Sequence, residues 1–469
     1  ESVTYIVQRA ESLVSLCYLV TLWCFIRSVE PGAGKHWTWL AWAACLLGMA
    51  AKEVMVTAPL VVLLYDRTFV AGTFAAALRT RRGYYAALAS TWLLLAWLVL
   101  GAGGARGTAA GFGLGVSPWS YLLKQAEALA LYLRLSLWPH PLVLDYGTAV
   151  ATSLTEVFLP GLLVVVLLAL TGWALVRRPR AGFFAAAFFL LLAPSSSFVP
   201  LVTQTIAEHR MYLPLAALLA LAVPFAAGRL GAWAPATFAA LALALAATTI
   251  ARNATYRDAF TLWSANVAAY PSAARGHVNL ALELQRAGDF SSAEDHFARA
   301  IALQPGYVAA HFNRAVALLD QARPADALAQ LDLAARHAPP GQTALRLDHA
   351  YAEAHVQLAR LAERAGEMAD AEKQLLLALR HAPADAAAHA RLGLLLARTE
   401  RPAAAEPHLR AALAADPVDA DSFANLGNTL LLLNRPREAI ACYEQLLRLR
   451  PADRRAQENL QLARDALRP

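Results

Sequence analysis

Along the first half of the chain apolar residues run in blocks too long for ordinary core helices; along the second half they recur at helical spacing between polar residues. A helix that crosses a bilayer needs about 20 mostly apolar residues. Stretches of this character lie at residues 13–26, 37–51, 54–69, 84–101, 157–176, 183–199, 211–227 and 233–250. Several are short, which helices inside a bundle tolerate when neighbours cover their ends. Residues 119–138 carry Lys124, Glu127 and Arg134 in apolar surroundings. Each charge would cost about 2.5–3.5 kcal/mol at a bilayer centre, so this segment is expected to be interfacial or partly inserted. The pattern predicts an all-α chain, with a polytopic transmembrane bundle over residues 1–251 and a soluble part over 252–469.

The soluble part has a period. Prolines fall at Pro271, Pro305, Pro339, Pro383, Pro417 and Pro451, at intervals of 34, 34, 44, 34 and 34 residues. Twelve residues before each of the last five stands Ala293, Ala327, Ala371, Ala405 or Ala439. Twenty-four before stands Ala281, Ala315, Ala359, Gly393 or Gly427, and eight before stands Phe297, Leu331, Leu375, Leu409 or Tyr443. Small residues facing one large residue at this period are the signature of the tetratricopeptide repeat, a helix–turn–helix unit that stacks into an α-solenoid. Five repeats are expected, with an insertion at 340–349 and a capping helix after Pro451. Ala259 and Trp263 keep the same register before Pro271, so residues 252–271 read as a half repeat growing directly out of the last membrane helix.

Composition and charge sharpen the division. Hydrophobic residues make up 58% and charged residues 16%, against about 25% charged in a typical soluble protein. The net charge of +7 resides largely in arginines of short loops, where it orients a membrane protein and does not indicate nucleic acid. Basic loops at 67–83, with Arg67, Arg79, Arg81 and Arg82, and at 177–180 are expected in the cytoplasm. Residues 50–53, 101–117, 200–210 and everything after 251 then fall outside. The four cysteines, Cys17, Cys24, Cys45 and Cys442, have no metal-ligand spacing, and no metal site is expected. The sequence starts at Glu1 within a patterned segment and without a signal peptide, so a preceding segment is expected.

On this topology Glu1, Lys52, Glu53, Asp145, Glu208, His209 and Arg210 share the outer face. Interfacial snorkelling would account for any one of them. As a set they suggest a pocket: lysine, arginine and histidine bind phosphate, and carboxylates act as acid or base or hold the cations.

The stretches "ESVTYIVQRAESL", "AKEVMVTAPLVVLLYD", "YLRLSLWPHPLVLDYG" and "AEHRMYLPL", followed by such repeats, resemble the bacterial relatives of the transmembrane and tetratricopeptide-repeat-containing O-mannosyltransferases. The resemblance implies a GT-C glycosyltransferase fold. It implies a polyprenyl- or dolichyl-phosphate sugar as donor, transfer outside the cytoplasm, and repeats that hold an acceptor protein. Its catalytic carboxylate would sit in a first external loop upstream of Glu1, leaving the catalytic residue of this chain unassigned. Lys52, His209 and Arg210, with Arg9 assisting, would stabilise the leaving lipid phosphate, and Glu53 and Glu208 would position the cations or the sugar. No cofactor beyond the donor is expected. The expected location is the bacterial inner membrane, with the repeats in the periplasm. The alternative is a noncatalytic membrane-anchored scaffold whose repeats recruit proteins. A transporter is disfavoured, because the apolar half shows no internal symmetry. The triplet "NAT" at Asn253 matches a glycosylation sequon and is read as chance.

Overall fold

A computed structural model describes residues 9–101, 116–147, 150–151, 153–196, 200, 205–338 and 344–467, without the side chains of residues 9, 99, 344 and 345. Glu1, most of 101–117 and part of 200–210 lie outside the described residues. All regular structure among the described residues is helical. Contacts divide the chain into two compact units, Glu1–Leu280 and Ala281–Pro469.

The first unit contains α1 (Arg9–Ser28), α2 (His36–Ala51), α3 (Ala58–Phe69), α4 (Phe74–Gly101), α5 (Pro118–Leu137), α6 (Phe158–Arg177), α7 (Pro179–Leu192), α8 (Tyr212–Leu230), α9 (Ala234–Ala254) and α10 (Ala259–Ala269). Phe25, Met49, Met55, Leu88, Tyr132 and Leu192 fill its core. The apolar stretch expected at 54–69 is interrupted. Lys52 is extended and ends α2, a 3-10 turn covers Glu53–Thr57, and α-helix resumes only at Ala58. The basic loop at 67–83 is largely helical. α4 starts at Phe74 and kinks at Arg81, whose guanidinium meets both oxygens of the buried Asp66 at 2.9 Å, with the Tyr85 hydroxyl donating to Asp66 at 2.6 Å. A buried carboxylate is stable only when paired in this way. The helices α6 and α7 approach closely at Gly182, where an added Cβ would stand 2.4 Å from the backbone nitrogen of Leu175.

Three stretches among the described residues are long and apolar enough to cross a membrane: Ala10–Ser28, Phe158–Arg177 and Glu208–Ala254, the last containing α8 and α9. The helix α7 is apolar but shorter, and α2 and α3 have only 16 and 12 residues. Large apolar side chains stand out from α6 and α9, with Leu159 74% and Leu243 73% exposed. The expected connection after the last apolar helix is short. A turn, Thr255–Asp258, separates α9 from α10, and the Asp258 side chain caps α10 by accepting from the Thr261 amide at 2.7 Å. Residues 252–280 pack within the first unit.

Helical hairpins build the second unit: α11 (Ala274–Arg286, shared between the units) with α12 (Phe290–Leu303), α13 (Val308–Asp320) with α14 (Pro324–His337), α15 (Ala344–Ala365) with α16 (Met368–His381), α17 (Ala386–Arg398) with α18 (Pro402–Ala415), α19 (Ala420–Leu432) with α20 (Pro436–Leu449), and then α21 (Arg454–Asp465). Each hairpin turns on one residue of left-handed backbone: Gly288, Ala322, Gly366, Glu400 and Asn434. The next amide closes back on the helix, as Arg323 does to the Leu318 carbonyl at 2.8 Å, Arg401 to Leu396 at 2.9 Å and Arg435 to Leu430 at 2.9 Å. This is the Schellman closure that satisfies a helix's orphan carbonyls. Pro324, Pro402 and Pro436 then open the second helices, where a missing N–H costs nothing. Phe297, Leu331, Leu375 and Leu409 are fully buried, as are Ala327, Ala371, Ala405 and Ala439. Part of the insertion lengthens α15, whose Asp348 meets His381 of α16 at 3.0 Å.

Candidate functional site

A buried carboxylate in the first unit gathers several of the expected residues. Glu11, in the first turn of α1, is 5% exposed. Lys52, released from helical geometry at the end of α2, donates its ammonium to Glu11 Oε1. His209, in the 3-10 turn Glu208–Met211, brings Nε2 to 3.8 Å from the same oxygen. Glu53 and Arg210 lie within electrostatic range of Glu11, as do Lys52 and Arg210 of His209. Lys52 stands at the break after α2 and His209 in a 3-10 turn, whereas Glu11 belongs to the first turn of α1. Lys52 keeps 19% of its side chain accessible.

The remaining expected residues take other places. Glu208 Oε1 accepts from the Val143 amide and the Tyr146 hydroxyl, both at 2.6 Å. Arg210 is buried, and its guanidinium donates to the carbonyls of Ser195 at 3.1 Å and Thr205 at 3.2 Å and to the Tyr121 hydroxyl at 3.3 Å. These bonds make Arg210 a clamp on the neighbouring chain, with its charge felt at Glu11. Asp145 forms a separate network: it is fully buried, receives Arg275 Nε at 2.7 Å and the Gly147 amide at 3.0 Å, and its own amide donates to Asn266 at 2.9 Å. Asp145 therefore ties the segment after α5 to α10 and the start of α11 and does not join the Glu11 cluster. Arg9 opens α1, and its side chain lies outside the described residues.

Sequence reasoning passed over Glu11. The available signal was a lone carboxylate at the edge of an apolar run, in "QRAESL".

Beside Glu208 lies a cleft of about 680 Å³, lined by Leu131, Arg134, Val143, Tyr146, Leu163 and Tyr270 among others. Its walls are mostly apolar, and Glu127 and Arg134 are the charged residues of the lining. Tyr146 and Val143 connect it to Glu208, and Glu208 precedes His209 in the chain. Among the described residues no group of three or more His, Cys, Asp and Glu could hold a metal ion.

In comparisons with known proteins, residues 278–343 and 356–420 match one tetratricopeptide-repeat family profile, and residues 420–453 match another. No curated protein matches the chain. Similar solved structures include YrrB, described as a tetratricopeptide-repeat protein with an unusual peptide-binding site, at 16% identity, covering 42% of this chain and 97% of that one with a TM-score of 0.33. A thermophilic tetratricopeptide-repeat protein of Thermus thermophilus is 28% identical, with 41% and 98% covered and a TM-score of 0.25. MamA of Desulfovibrio magneticus is 16% identical, with 39% and 97% covered and a TM-score of 0.31. Scores this low carry no functional argument; the profile matches establish that residues 278–453 contain tetratricopeptide repeats, a module that typically binds peptides or proteins.

Proposed function

We propose that this chain belongs to a membrane glycosyltransferase that moves a sugar from a polyprenyl-phosphate donor to an external protein acceptor held by the repeats. The observation that carries this reading is the convergence of Lys52 and His209 on the buried Glu11, within an apolar unit where unpaired charge is expensive. The apolar cleft beside Glu208 supports it by offering room for a lipid chain. In the proposed step an acceptor hydroxyl oxygen attacks the anomeric carbon while the bond from that carbon to the phosphate oxygen breaks. The electron pair leaves with the lipid phosphate. The hydroxyl proton passes to a carboxylate, the group that the family resemblance implies for this role. Charge on the phosphate grows as the bond breaks, so a preset Lys52 favours the transition state. Glu11 acts as a positioning residue for Lys52. The helices at Ala10–Ser28, Phe158–Arg177 and Glu208–Ala254 would span the bacterial inner membrane, with the repeats in the periplasm. The test is transfer of radiolabelled sugar from polyprenyl phosphate to membrane proteins by the full-length protein; absence of lipid-dependent transfer overturns the reading.

The repeat matches favour a second reading, a noncatalytic membrane-anchored scaffold. It predicts protein capture by the repeats without any lipid-sugar turnover.

A further inference from the structure

Histidines recur in the solenoid at one register. His311, His355 and His389 each stand twenty-eight residues before the closing proline of their repeat, and Gln330, Gln374 and His408 stand nine before it. The first member of each pair lies on the first helix of a hairpin and the second member on the second helix. In two hairpins the imidazole meets an amide, with His311 Nδ1 2.9 Å from the Gln330 side chain and His355 Nδ1 2.8 Å from that of Gln374. Between α17 and α18 it meets a second imidazole. The Nδ1 atoms of His389 and His408 are 3.0 Å apart, with ring centroids 5.2 Å apart and planes tilted by 31°.

The backbone fixes the protons of this pair. His389 Nε2 lies 3.0 Å from the Pro383 carbonyl, which can only accept, so Nε2 carries the hydrogen and Nδ1 keeps its lone pair. His408 Nδ1–H therefore donates to His389 Nδ1. Burial, then the neighbouring His389, holds His408 below the ordinary histidine value, so His408 is uncharged at pH 7. An imidazole whose other nitrogen donates to a backbone carbonyl is the arrangement that metal-ligating histidines use. With metal–imidazole bonds of about 2.0–2.1 Å, two nitrogens at right angles about one ion stand about 2.9 Å apart, and at a tetrahedral angle about 3.3–3.4 Å. The separation of 3.0 Å fits the right angle, which square-planar and tetragonal ions such as Cu(II) and Ni(II) prefer. Among the described residues no third His, Cys, Asp or Glu completes a metal-binding group with them. Both histidines are half-buried, so water supplies the remaining ligands.

We propose that His389 and His408 bind a divalent copper or nickel ion that ties α17 to α18. The ion takes the place of the hydrogen between the two Nδ1 atoms. His408 then carries its proton on Nε2, so no net proton is released. The site goes beyond the proposed sugar transfer and does not depend on it. The decisive variant is His408→Gln, which removes one ligand and recreates the His–Gln contact that the two preceding hairpins already use. Calorimetric titration of the full chain in detergent with Ni(II) should show one saturable site, weakened about tenfold or more in His408→Gln. Exposed histidines such as His36 and His349 are common to both proteins, so their weak binding cancels in the comparison. Pulsed EPR of the unaltered protein with one equivalent of Cu(II) should detect two imidazole ligands, and this measurement does not depend on how the variant folds. Adventitious binding only, seen as equal Ni(II) affinity in the two proteins, would overturn the proposal, as would a single imidazole in the Cu(II) spectrum or absence of binding.

Discussion

A carboxylate as buried as Glu11 costs several kcal/mol unless a cation shares its site. Lys52 is that cation, so Lys52→Ala should destabilise the first unit by about 3–5 kcal/mol, while Glu11→Gln combined with Lys52→Met should recover most of the loss. Thermal unfolding in detergent separates the two outcomes; equal destabilisation by the single and double variants would deny the pairing. Arg275→Met should likewise strand Asp145, which is fully buried against it, and cost about 3–5 kcal/mol. The sequence marked Lys52 and His209, because charges interrupting apolar runs are visible in one dimension. It did not mark the split between Glu11 and Asp145, since both are lone acids in apolar surroundings and only the fold decides which cation each one meets.

Among the elements, the hairpin turns are the clearest case of local sequence setting structure. Ala322 and Glu400 adopt left-handed backbone at φ of 56° and 58°, where other repeats use Gly288 and Gly366. Since a Cβ is unfavourable there, Ala322→Gly and Glu400→Gly should each raise stability by about 0.5–1 kcal/mol, read from urea unfolding. Gly427 is the opposite case. An added Cβ would lie 2.8 Å from the ring of Tyr443, which is buried and held by its bond to Asn428. Gly427→Ala should therefore cost about 1–3 kcal/mol. Histidines add a pH dependence. Burial, then the neighbouring His389, holds His408 below its ordinary value, and burial lowers His355. Their folded values lie below the unfolded ones, so the unfolded chain takes up protons first. Their contribution is complete above about pH 6.5 and declines as pH falls below it. Urea midpoints should drop from about pH 7.5 to about pH 5.5, and His408→Gln should reduce that drop.

At the level of the whole molecule, the solenoid was legible because its signal is a period, repeated often enough that an insertion between Pro339 and Pro383 does not obscure it. The apolar half was less legible. Hydropathy marks what is apolar without marking where a helix breaks, and the break at Lys52 and the kink at Arg81 coincide with bonds to Glu11 and Asp66, which lie far off in the sequence or across a turn. The boundary after residue 251 was set by composition, whereas residues 252–280 pack by contact with the first unit, through Asn266 and Arg275. In the proposed function Lys52, held by Glu11, serves the departure of a lipid phosphate. Its most direct test is lipid-phosphate-sugar turnover by full-length Lys52→Arg and Lys52→Met proteins of matched folded yield. Retention of most activity by the arginine variant and a loss of about a hundredfold or more in the methionine variant are expected; turnover by the methionine variant at the unaltered rate would contradict the claim.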